Sequence, residues 1–97
     1  ELKTAWAELT APGAPFEIAE HDGMRQFANA PASLGTLIES ARRHGPATFI
    51  VEGGTRLTYN QVFARRDALA GVLGIAPDDR VVICMRNRAA WIVAFLA

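Results

Sequence analysis

The run Val81-Val82-Ile83-Cys84-Met85 is the strongest constraint in the chain. Five apolar residues stand together with no polar alternation. A strand with one wet face alternates, whereas a strand covered on both faces does not. The run therefore predicts a central parallel strand of an α/β sheet. It follows a turn signal, Pro77-Asp78-Asp79, and precedes a helical run, Trp91 to Ala97. Asn87 is the expected N-cap of that helix.

Upstream, Ala47 to Glu52 reads as a strand centred on Phe49, Ile50 and Val51, and Gly53-Gly54 turns it into a short return strand at Arg56-Leu57. Thr58 then opens a helix. Gln61, three residues on, completes a capping box, and Leu57 and Val62 occupy the staple positions. Val62, Phe63, Leu69 and Leu73 face the core, Arg65, Arg66 and Asp67 face outward, and Gly74 closes the helix with Ile75 as its Schellman contact. If the strands at Ala47–Glu52 and Val81–Met85 share one sheet, the crossover between them is right-handed. The expectation is a βαβ-type unit preceded by hairpins.

Before that unit, Thr4 to Leu9 forms a short helix stopped by Pro12, Gly13 and Pro15. Phe16 to Glu20 alternates as a half-buried strand, Asp22-Gly23 demands a tight hairpin turn, and Met24 to Phe27 returns. Asn29 to Ala32 is linker. Ser33 caps a helix carrying Leu34, Leu37, Ile38 and Ala41 on one stripe, with Arg42 and Arg43 in its last turn and Gly45-Pro46 after it. Residues 1–32 thus read as a lead-in with a β-hairpin, and 33–97 as the α/β part of a sheet domain.

Ten basic and ten acidic residues are interspersed, so the net charge is zero and no basic face for nucleic acid is present. The lone Cys84 gives no disulfide framework and suits a reducing cytoplasm. The apolar stretch Ala89–Ala97 falls well short of the ~20 residues a membrane helix needs. The helical run from Trp91 has no C-terminal stop and Glu1 is no initiator Met, so the chain reads as a piece of something longer. An apolar fraction of 51% fits a fragment of a larger core.

The polar residues do not assemble into chemistry on paper. Gly53-Gly54-Thr55 lacks the Lys-Ser/Thr and helix start of a phosphate loop. His21, His44 and Cys84 lack metal-ligand spacing. Cys84 in an apolar strand is a small core residue rather than a nucleophile. Asp78-Asp79 belongs to a turn. Arg42-Arg43 and Arg65-Arg66 read as solvated helix faces. Arg86-Asn87-Arg88 follows the end of the apolar run, where ligands of open α/β sheets gather; the cap reading of Asn87 is the stronger one.

An ordered set of segments carries a family resemblance. Phe49-Ile50-Val51-Glu52-Gly53-Gly54, Leu57-Thr58-Tyr59, Leu69-Ala70, Gly74 to Val81, Asn87 and Trp91 to Ala97 resemble the amino-terminal part of adenylate-forming acyl-CoA synthetases. That superfamily includes firefly luciferase and peptide-synthetase adenylation domains. Leu9 to Glu17 and Asn29 to Leu34 resemble the lead-in of bacterial carboxylic-acid CoA ligases. The chain departs from the family at Asp78, where Gly is usual, and at Leu73-Gly74, where the helix end is short by part of a turn. The resemblance implies the N-terminal part of a large α/β domain in a cytoplasmic ligase, most simply a fatty-acid one. That ligase uses ATP, Mg2+ and CoA, and forms an acyl-adenylate and then a thioester. Its partner is a small carboxylic acid, and a homodimer is an open alternative. It also implies that the phosphate loop, the adenine- and ribose-binding motifs and the catalytic Lys lie elsewhere, so the catalytic, cofactor-binding and metal residues expected among these 97 are none. A peptide-synthetase adenylation domain, a fatty-acyl-AMP ligase and a non-catalytic α/β interaction module are the alternatives.

Overall fold

The computed structural model describes residues 1–97, in two compact units, Glu1–Thr36 and Leu37–Ala97. Helix and strand are mixed in both. The first unit holds helix α1 (Leu2–Thr10) and a two-stranded antiparallel sheet of β1 (Ile18–His21) and β2 (Met24–Phe27). Helix α1 stops at Ala11, which is extended, ahead of Pro12 and a left-handed Gly13. The hairpin pairs Ile18 with Phe27 and His21 with Met24. Asp22 and Gly23 both take positive φ (50° and 75°), as the two-residue turn requires. Phe16 and Phe27 meet edge to face, yet no residue of this unit is fully buried. Ser33 accepts the Thr36 N–H at 3.1 Å, capping helix α2 (Leu34–Ser40), which runs on into the second unit.

In the second unit, α2 tightens into a 3-10 turn (Ala41–His44) that ends at Gly45, with φ of 46°. Strands β3 (Thr48–Glu52) and β4 (Thr55–Thr58) form an antiparallel hairpin, with a left-handed Gly53 at its turn. Ile50 faces Leu57 and both are buried, while Val51 and Arg56 face each other on the exposed side. Helix α3 (Tyr59–Leu73) starts on a complete capping box. The Gln61 N–H donates to Thr58 Oγ1 at 3.2 Å, and the Thr58 N–H donates to Gln61 Oε1 at 2.9 Å. It ends at Gly74 in the left-handed region. Helix α4 (Ala89–Leu96) lays Ala89 and Val93 against Ile50, Leu57 and the wholly buried Val62, and these five form the core. Full burial of one such aliphatic side chain is worth about 1.5–3 kcal/mol. The hairpin therefore serves as the floor on which α3 and α4 pack.

The sequence expectation fails at its most constraining stretch. Residues 81–85 form no strand, and both sheets are antiparallel hairpins. The βαβ crossover is therefore not present among these residues. A parallel strand exists only through ladders to neighbours and helices over both faces, and nothing in residues 1–97 supplies those neighbours. Val82 is 88% exposed, and Cys84, read from the sequence as a core residue, is exposed too. The turn before it is better defined. The Asp79 N–H donates to the Ala76 carbonyl, the Ala76 N–H donates to Asp79 Oδ2 at 2.8 Å, and Asp78 takes φ of 70°. Proline second and a left-handed residue third is the type II pattern, which favours Gly where Asp78 stands.

Candidate functional site

The polar side chains of the second unit gather in two places. The first surrounds Phe63, which is 2% exposed. The Arg42 guanidinium lies over its ring at 4.4 Å and that of Arg66 at 5.9 Å. Arg42 donates to both carboxylate oxygens of Asp67 at 2.8 and 2.9 Å, and to Glu39 at 2.6 Å. Arg66 donates to Glu39, to Asp67, and to the Leu96 carbonyl at 3.0 Å near the end of α4. Hydrogen bonding from Arg42 holds the Glu39 and Asp67 carboxyls below their ordinary range, and the two acids in turn raise Arg42. Arg42 and Arg66 are therefore not the free, solvated helix-face residues their doublets suggest. Two alternating-charge pairs tie α2, α3 and α4 together over an aromatic ring.

The second place is a cleft of about 560 Å³ between the hairpin and the two helices. Leu57, Leu69 and Val93 are among its apolar lining, and Glu52, Arg65 and Arg88 supply its polar rim. Glu52 ends β3. It accepts from Arg88 Nε at 2.7 Å and from the Ala89 N–H at 3.0 Å, so both oxygens are engaged. The Arg88 bond is the larger cause, and the Ala89 bond the next, of a Glu52 carboxyl held below its ordinary range. Residue Arg88, extended at φ −134° and ψ 167°, occupies the N-cap position of α4. Asn87, read from the sequence as that cap, lies one residue too early. The first free N–H is instead met by a carboxylate from another element, a pairing that spacing within one segment could not reveal.

The remaining residues singled out in the sequence stay apart. His21 sits 3.5 Å from Asp22 on the exposed hairpin turn. The His44 ring lies tilted against Tyr59 at 4.9 Å, and Tyr59 stacks on Phe49 at 4.3 Å. Ser33 and Ser40 spend their hydroxyls on local backbone and neighbours. No imidazole or thiol lines the cleft, and no group of His, Cys, Asp and Glu converges as a metal-ion site. Phosphate recognition also lacks a cradle. The leading N–H groups of α3 already bond the Ala47 and Gly45 carbonyls and Thr58 Oγ1, and that of α4 bonds Glu52. Anion-binding helix starts need those donors free. The starts of α3 and α4 thus present no free N–H cradle for a phosphate group. No helix is long and apolar enough to cross a membrane.

What these residues do define is a class. Residues 37–97, the second unit, match the model of the AMP-binding enzyme family, and the chain belongs to that family. It is 35% identical over 79 residues to a medium/long-chain-fatty-acid–CoA ligase of Mycobacterium tuberculosis, covering 77% of this chain and 13% of that protein. It is 41% identical over 68 residues to triostin synthetase I of Streptomyces triostinicus, covering 66% and 13%. A 2-hydroxy-7-methoxy-5-methyl-1-naphthoate–CoA ligase of Streptomyces carzinostaticus is 41% identical over 69 residues, covering 67% and 12%. The chain thus spans only 12 to 13% of the length of these curated relatives. No solved structure matches it.

Proposed function

We propose that this chain is the N-terminal scaffold segment of a carboxylic-acid CoA ligase, and that the segment carries no catalytic residue. The parent enzyme, a cytoplasmic acid–thiol ligase, activates a small carboxylic acid, most simply a fatty acid, as its adenylate and passes the acyl group to CoA. ATP, Mg2+ and CoA belong to parts of that enzyme other than residues 1–97. The observation that carries this reading is the pairing of family membership over 37–97 with helix starts whose donors are already used internally. Residues 1–32 are the lead-in to the domain, and 33–97 begin its α/β part. Two of the three relatives named above are CoA ligases, which favours CoA as acceptor.

A peptide-synthetase adenylation domain is the second reading, supported by the 41% identity to triostin synthetase I. The two separate on the intact protein. Carboxylic-acid-dependent ATP–pyrophosphate exchange followed by CoA consumption supports the ligase. Exchange driven by amino acids with no use of CoA supports the alternative, and no exchange with either class of acid overturns both.

A further inference from the structure

The start of α4 lacks a cap of its own. Arg88 has the extended backbone of an N-cap residue but no side-chain acceptor, and no hydrogen bond from the Asn87 side chain reaches the helix. Yet Ala89, the first helical residue, is buried and must be held in register against Ile50 and Leu57. A buried start with an unmet N–H is unfavourable. We propose that Glu52 is a latch in trans: a carboxylate on β3 that caps α4, decides that the helix begins at Ala89, and so fixes the width of the cleft. Two features make it suitable. Glu52 is the last residue of β3, paired with Thr55 across the Gly53-Gly54 turn, so the hairpin sets its position. Its two oxygens also divide the work, Oε2 taking the Ala89 N–H and Oε1 holding Arg88 Nε, which orients the carboxylate toward the helix. Negative charge at a helix N-terminus adds to the effect. Glu52 and Thr55 from the hairpin and Arg88, Ala89 and Val93 from the α4 side all line the cleft, so the latch joins two of the elements that bound it. Glu52 is thus a positioning residue that acts through α4.

The test is hydrogen exchange of the intact protein, read by mass spectrometry on peptides covering 88–97, with peptides from 59–73 as the internal reference. Glu52→Ala speeds exchange in α4 by roughly fivefold, the change that loss of one cap carries, and leaves α3 unchanged. Arg88→Ala stays within roughly twofold of the wild type, because the Ala89 N–H keeps its acceptor. Glu52→Ala combined with Arg88→Ser returns α4 toward wild-type protection, since Ser at a residue with N-cap geometry supplies a local cap. If Glu52→Ala does not fold, Glu52→Gln, which retains an acceptor oxygen, keeps α4 protected within roughly twofold. Unchanged α4 exchange in Glu52→Ala overturns the proposal. So does failure of Arg88→Ser to rescue, an Arg88→Ala effect as large as that of Glu52→Ala, or loss of α4 protection in Glu52→Gln.

Discussion

Replacing Asp78 with Gly stabilises the protein. Asp78 holds φ of 70° as the third residue of the Ala76–Asp79 turn. The left-handed region costs an L-residue about 1–2 kcal/mol, with Asp at the tolerant end, and Gly avoids that cost. Gly also gives the unfolded chain more freedom, which offsets about 0.4–1 kcal/mol. The turn itself is untouched, because its two hydrogen bonds come from Ala76 and Asp79. The net expectation is a gain of about 0.5 kcal/mol. In urea, with a slope of roughly 1 kcal/mol/M, the midpoint rises by about 0.5 M at constant slope. Asp78→Ala moves it the other way, since Ala keeps the Cβ and lacks the short polar side chain that tolerates this conformation. A Gly variant equal to or less stable than the wild type, or an Ala variant above it, refutes the strain argument.

Thr58→Ala removes the Gln61 N–H acceptor and costs about 1 kcal/mol in the same denaturation assay. Phe63→Ala opens a hole beneath two guanidinium groups and costs about 3 kcal/mol or more, with calorimetry as the check. Glu39 and Asp67 have folded-state pKa values below their unfolded ones. Their contribution is therefore fully present above the ordinary carboxylate range and is lost as pH falls through the folded values. Stability measured against pH in wild type and Asp67→Asn shows the two curves converging only below about pH 4; a gap that persists unchanged into stronger acid contradicts the pairing.

Local signals survived the passage from sequence to structure where the physics is local. Asp22-Gly23, Thr58 with Gln61, Ser33, and Gly74 each act within a few residues, and each sits as its chemistry requires. Val62 and Phe63 are legible as core from the helix periodicity, whereas Leu73, on the same expected face, is exposed near the end of α3. Local pattern is silent where a partner from elsewhere in the chain decides. Val81–Met85 has the composition of a covered strand but no neighbours among these residues to pair with. Arg66 looked outward on its own helix, yet it reaches the Leu96 carbonyl thirty positions away. Glu52 looked like an ordinary strand end, while its acceptor role depends on a helix start 37 positions on. No periodicity within one segment encodes such contacts.

A segment that only scaffolds an adenylate-forming ligase takes no part in its chemistry. Carboxylic-acid-dependent ATP–pyrophosphate exchange is the decisive measurement, made on the intact protein and on a variant carrying His21→Gln, His44→Gln and Cys84→Ala. That variant removes both imidazoles and the single thiol of these residues. The wild type exchanges, and the triple variant exchanges at a rate within about twofold, less than about 0.5 kcal/mol of barrier. Loss of exchange by a hundredfold or more in a variant that remains folded, or no exchange by the wild type with any carboxylic acid, would contradict the scaffold role.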